Sequence, residues 1–333
     1  MENASKVNCS SVARAPWLLP EGGALGTTQL QLKVKPRLLR HPKDHWLLLY
    51  QGAVYALLIG IFFVFSSAPG WLQVCLFWIG SVLAGRNEAV LHWAVHSPVF
   101  RSKRLNKLHR LCFSVVPLPA VLYRSQHLMH HRYDNGYGDD TSTLLPSRAV
   151  HREVFTYLLA NLVQPGFLPI YRELSANDRR ECRRSFALTL ALTVVFYLID
   201  PYATLVYWIP VTYVMSFLIL LLANYTDHVP GDPGDQYLLA TYAELRSPYE
   251  WFISVMDMHN SAYHLTHHRL PKIHWAELGR VHEACIPEYK AHGSPVSLAV
   301  NSTHLFNPFA FALMLYQVQR RRNTIAVTSA PGS

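Results

Sequence analysis

Three groups of histidines are spaced closely enough to act together: His92-Trp-Ala-Val-His96, His127-Leu-Met-His130-His131 and His264-Leu-Thr-His267-His268. Intervals of three and four residues on a helix put side chains on one face about a turn apart, so each group can turn its imidazoles toward a common metal ion. Asn224-Tyr-Thr-Asp-His228 repeats the four-residue interval. The chain has 18 histidines in 333 residues; at that frequency chance supplies only ~0.05 HxxHH patterns, and here the pattern recurs. The nine imidazoles of His92, His96, His127, His130, His131, His228, His264, His267 and His268 exceed what one four-coordinate zinc needs, and imidazole also suits iron. Two metal ions are the natural count. There is no HExxH, so a metalloprotease is not indicated.

The elements that must position these groups follow from the apolar half of the composition. Runs at 46–65 and 71–91 are long enough to cross about 30 Å of hydrocarbon; 186–199 is short and needs Arg183 and Arg184 to snorkel, and 202–223 completes a second pair. Short turns at 66–70 and 200–201 join each pair. The expected fold is an all-α membrane protein with four transmembrane helices in two hairpins. Lys33, Lys35, Arg37, Arg40 and Lys43 precede the first run, and Arg101, Lys103, Arg104, Lys107, Arg110, Arg179, Arg180, Arg183 and Arg184 lie between the second and third. The short turns carry no Lys or Arg, so the positive-inside rule puts the termini and the long central loop in the cytoplasm. His92 and His96 are expected just beyond the end of the second span and Asn224 and His228 just beyond the fourth, all meeting the other two groups in a cytosolic histidine-rich helical cap.

The same distribution explains the net charge of +9 through membrane lipid, with no nucleic acid as partner. No basic segment followed by a compact apolar run opens the chain, so a cleavable signal peptide is not expected. The expected organisation is a cytoplasmic segment 1–45, an integral-membrane domain 46–320 with an interfacial helix or lid at 305–316, and a disordered tail 321–333. Cys9, Cys75, Cys112, Cys182 and Cys285 form no CxxC and indicate neither a disulfide framework nor a thiolate zinc site.

The motifs HWAVH, HLMHH and HLTHH, in this order and with two hairpins interleaved, resemble the histidine boxes of the membrane fatty-acid desaturase and hydroxylase superfamily over residues 46–275. The acidic stretch after the second box, running from Arg132 to Asp140, is similar as well. The first-box interior, Trp93-Ala94-Val95, departs from the acidic or glycine-containing interiors common in that family. The resemblance implies two Fe2+ ions on the nine histidines, with Asn224 contributing through a water, and dioxygen as co-substrate. It also implies oxidation of an unactivated C–H bond in a fatty acid or fatty-acyl chain. Desaturation is the first expectation, with two alternatives: oxidative decarboxylation of a free fatty acid to a terminal alkene, as in the undecene-forming branch, or hydroxylation. Electrons are expected from a separate ferredoxin, rubredoxin or cytochrome b5, and the expected location is a bacterial inner membrane. Lys103, Arg104 and Lys107 could dock an acidic donor or lie at lipid headgroups. The competing class is a metal transporter or sensor, which would place its ligands at mid-membrane.

Around the boxes, Glu88, Asp227, Asp257, Asp139 and Asp140 could accept hydrogen bonds from ligand imidazoles, and Arg86 and Glu88 could pair with each other. His259 has a supporting role in this reading. Trp93, Tyr123, Tyr249, Trp251 and Trp275 could line an acyl tunnel or anchor at the interface, and Arg124 could hold a carboxylate or phosphate.

Overall fold

The computed structural model describes residues 38–113, 119–133, 167–228, 235–297 and 316. The segments 1–37, 305–315 and 321–333, and the acidic stretch with Asp139 and Asp140, lie outside the described residues. The chain is mostly helical. Among the described residues there is no strand, only the isolated bridges Leu39–Phe100 and Tyr242–Val296.

Four helices are long and apolar enough to cross a membrane: α1 (Asp44–Phe65), α2 (Gly70–His96), α6 (Ala176–Ile199) and α7 (Pro201–His228). On α1, Leu47, Gln51, Val54, Leu58, Ile61, Phe62 and Phe65 form the buried stripe, while Leu49, Leu57, Phe63 and Val64 are exposed on other faces. A helix apolar all round, with only one side packed on protein, is suited to hydrocarbon. The second helix, α2, is buried along its second half from Gly80 onward and packs against both α1 and α7. Glycines allow that approach: a Cβ on Gly80 would lie 2.6 Å from the Tyr207 hydroxyl oxygen, and one on Gly85 2.4 Å from Cγ2 of Ile219. Close approach of backbones at small residues is how helices gain contact area where no hydrophobic effect drives them together.

Shorter helices carry the remaining boxes: α3 (Lys103–Phe113), α4 (Ala120–Tyr133), α5 (Phe167–Glu173), α8 (Pro248–Met256), α9 (His264–Arg269) and α10 (Trp275–Ala291). A capping box, with Ser247 and Glu250 each accepting from the other's backbone N–H, starts α8 with Pro248 in its first turn. Its neighbour α9 is a short turn of helix held from below: the Thr266 hydroxyl meets His282 Nδ1 and the Tyr289 hydroxyl, each at 2.8 Å. His282 Nε2 in turn donates to the Ala243 carbonyl at 2.8 Å.

Several expectations need correction. The third apolar run is not a short span: α6 starts ten residues before it, at Ala176, where the Ser175 hydroxyl accepts from Asp178 N. Arg183 and Arg184 are therefore inside a 24-residue helix. His92 and His96 form the last turns of α2 itself, and Asn224 and His228 those of α7, so the ligand-bearing turns continue the spans. In α7 the α-helical pattern gives way to π-helical segments at Thr204–Trp208 and Pro210–Met215; Pro210 has no N–H to donate, and the Thr212 and Ser216 hydroxyls return bonds to the Trp208 and Thr212 carbonyls at 2.7 and 2.5 Å. Cys75, Cys112 and Cys182 are free, whereas Cys285 is disulfide-bonded, against the expectation that no cysteine pairs.

Candidate metal centre

Five helices deliver imidazoles to one buried region. Among the described residues, two groups of possible ligands form there, each with its nearest donor atoms within 4.8 Å of one another. The first contains His92 and His96 from α2, His127 and His131 from α4, and His267 from α9. The second contains His130 from α4, His228 from α7, and His264 and His268 from α9.

The facing atoms are all Nε2. In the first group His92 meets His267 at 2.9 Å, His96 meets His127 at 2.7 Å, and His131 meets His127 at 3.0 Å and His267 at 2.9 Å. In the second, His130 meets His228 at 3.0 Å and His268 at 3.3 Å, and His264 meets His228 at 3.0 Å. With metal–nitrogen bonds of 2.0–2.1 Å, neighbouring donors lie about 3.0 Å apart in an octahedral shell and about 3.4 Å apart in a tetrahedral one. These distances are the edges of a coordination shell.

Hydrogen-bond chemistry supports the same reading. His228 Nδ1 lies 2.9 Å from the Leu239 carbonyl, a contact that requires the proton on Nδ1 and leaves a lone pair on Nε2. That lone pair meets the Nε2 atoms of both His130 and His264. Burial pushes the pKa values of His127, His131, His264, His267 and His268 down, and neighbouring imidazoles add to the effect. The rings are held neutral, the form that binds a metal. The donor set therefore fits two metal ions.

Carboxylates stand behind the ligands. Glu88 Oε1 is 4.0 Å from His92 Nδ1, and Asp227 Oδ2 is 4.0 Å from His264 Nδ1. Arg86 and Glu88 do not pair with each other: the Arg86 guanidinium binds Asp257 at 2.6 Å, and Glu88 accepts from the Tyr123 hydroxyl. Asp257 is committed to Arg86 and to the backbone N–H of Ser261. Tyr123 stays protonated because burial and the adjacent Glu88 raise its pKa well above the ordinary value.

A cavity of about 60 Å³ touches both groups. His92, His127, His130 and His264 line it with Glu88, Tyr123, Asn224 and Asp227, and Phe217, Leu220 and Leu221 of α7 supply an apolar wall. Asn224 faces this cavity and is not in either donor group. Of the aromatic residues singled out above, Tyr123 lines the cavity, while Trp93 is buried and donates to the Met258 carbonyl at 3.0 Å. Trp275 donates to Asp44 at 3.1 Å, and Tyr249, Trp251 and Arg124 are exposed. His259 contacts Ser254 at 2.7 Å and stays outside both groups. Sequence reasoning missed the Arg86–Asp257 pair and the α7 wall: the first joins residues 171 apart, and the second is ordinary apolar helix.

A family model described as fatty acid desaturase matches residues 69–299 of the chain. A sphingolipid delta(4)-desaturase of Drosophila melanogaster is 27% identical over 239 residues, covering 67% of this chain and 69% of that protein. A sphingolipid delta(4)-desaturase of Schizosaccharomyces pombe is 26% identical over 250 residues, covering 67% of this chain and 64% of its own length, just under two thirds. No solved structure matches.

Proposed function

The chain belongs to the fatty acid desaturase family, and from that premise we propose that it desaturates a fatty-acyl chain, using two iron ions held by the nine clustered histidines. Family membership makes it an oxidoreductase of the membrane desaturase kind, acting on fatty-acyl or lipid substrates. In this reading His92, His96, His127, His131 and His267 hold one iron. His130, His228, His264 and His268 hold the other, with Asn224 reaching it through a water. The observation that carries the proposal is the cavity shared by both groups.

Bound ferrous ions and dioxygen supply the oxidising power that no side chain has. The chain's own residues position and protect. Phe217, Leu220 and Leu221 give an alkyl segment an apolar surface beside the imidazoles. The His228 contact with Leu239 fixes a ring tautomer, and Tyr123 keeps Glu88 hydrogen-bonded at the cavity wall. Desaturation is preferred to terminal alkene formation because both relatives are named as desaturases.

The four long helices are assigned to two hairpins within an integral-membrane unit 46–320, flanked by 1–45 and 321–333. The turns at 66–69 and 200 carry no Lys or Arg, whereas Lys103, Arg104, Lys107, Arg180, Arg183 and Arg184 lie toward the opposite ends. By the positive-inside rule the metal centre and termini then face the cytoplasm. An external redox protein supplies the electrons.

The test is iron analysis of the purified protein under reducing conditions, paired with gas chromatography and mass spectrometry of lipids and headspace from cells fed a defined saturated fatty acid. Two irons per chain and an in-chain double bond are expected, both lost in His264→Ala. A volatile alkene one carbon shorter than the substrate would instead establish decarboxylation, an alcohol would establish hydroxylation, and stoichiometric zinc without iron would overturn the assignment.

A further inference from the structure

The segment between α8 and α9 has an unusual backbone. Met258 and His259 are consecutive non-glycine residues with φ of 47° and 61°, a left-handed conformation that persists only when its surroundings impose it. Three side chains from other helices impose it here. The Tyr50 hydroxyl donates to the Met256 carbonyl at 2.5 Å, Trp93 Nε1 donates to the Met258 carbonyl at 3.0 Å, and Arg86 binds the Asp257 carboxylate at 2.6 Å. Arg86 and Trp93 lie two turns apart on one side of α2, the helix that also carries His92 and His96.

From Asp257 the network continues toward only one of the two histidine groups. Asp257 Oδ2 accepts from the Ser261 backbone N–H at 2.8 Å, and the Ser261 hydroxyl donates to Asp227 Oδ2 at 3.1 Å. That carboxylate oxygen is 4.0 Å from His264 Nδ1, and Asp227 immediately precedes His228. Both histidines belong to the four-membered group. Four of the five ligands of the other group come from α2 and α4, outside this path.

We infer that Arg86, Asp257 and Ser261 are positioning residues for the second metal site specifically, acting through Asp227 on His264 and His228. This rests on the two-iron reading above. The pins make α2 a template for both sites: one face offers His92 and His96 directly, and the adjacent face fixes the turn from which His264 is launched.

The experiment is anaerobic titration of the metal-free full chain, in detergent, with Fe2+ alone, reading total iron bound per chain and the affinity of each step. Two variants are compared with wild type. Ser261→Ala removes one hydroxyl. The double substitution Arg86→Met, Asp257→Leu replaces a buried ion pair by apolar side chains, an exchange that proteins often tolerate without loss of stability. Both variants are expected to take up the first iron like wild type and the second roughly 10–100-fold more weakly, the usual cost of losing a partner behind a ligand. Two wild-type affinities in Ser261→Ala, or parallel weakening of both steps, would overturn the inference. Failure of the wild type itself to bind two irons would instead overturn the reading on which it rests.

Discussion

His130 and His131 are adjacent in the chain, yet their imidazoles enter different clusters: His131 Nε2 is 2.9 Å from His267, and His130 Nε2 is 3.0 Å from His228. Adjacent helical residues point about 100° apart, so α4 can serve two metal sites only if it lies between them. His130→Ala and His131→Ala should each lower bound iron from about two to about one per chain, by loss of different sites. Mössbauer spectra of 57Fe-loaded protein should show a different residual signal in each variant. Activity should fall more than about 100-fold in both, since even groups behind the ligands cost 10–100-fold. An identical residual spectrum would contradict the partition.

The cavity can be closed without touching a histidine. Leu220→Trp places a larger side chain on the apolar wall and should leave iron content unchanged while turnover drops by about 100-fold, the scale of effect expected when a substrate is displaced by an ångström. Product analysis beside metal analysis checks this; full turnover would place the substrate elsewhere.

Helix spacing between α2 and α7 should depend on Gly85. Gly85→Ala directs a methyl at Ile219 and should cost about 1–3 kcal/mol of stability, as overpacking does. The expected fall in Tm in detergent should be partly reversed by Ile219→Ala in the same chain. Additive losses in the double variant would show that the contact is not the cause.

Acid should weaken the scaffold under α9. His282 is buried, and burial lowers its pKa to about 4, against about 6.5 in an unfolded chain. Between these values the unfolded state takes up the proton and the folded state does not. The stability contributed is therefore complete above pH 6.5 and lost as pH falls toward 4, by about 3 kcal/mol in all. His282→Gln should flatten the fall of Tm between pH 6.5 and 4.5 relative to wild type, at matched iron loading.

Much of this centre was legible in the spacing of its histidines, because intervals of three and four residues survive in any helical setting. The four apolar runs were legible too, although α6 extends back through four arginines that composition alone assigned to a loop. What could not be read was whatever depends on packing between distant segments. Arg86 lies beside Glu88 in sequence but binds Asp257, and the carboxylates nearest the ligands are set by helix rotation. The left-handed turn at Met258 and His259 carries no glycine or asparagine at those two positions to announce it.

The π-helical stretch of α7 bears on how tolerant this chain is to insertion and deletion. A π-helical turn accommodates one residue more than an α-helical turn, so removing one residue between 204 and 215 would allow ordinary α-helix to form there. Everything beyond would then be rotated by about 100°, turning Asn224 and His228 away from the cavity while the composition of the span stayed almost the same. Length in this segment is thus as constrained as the identity of the histidine that follows it.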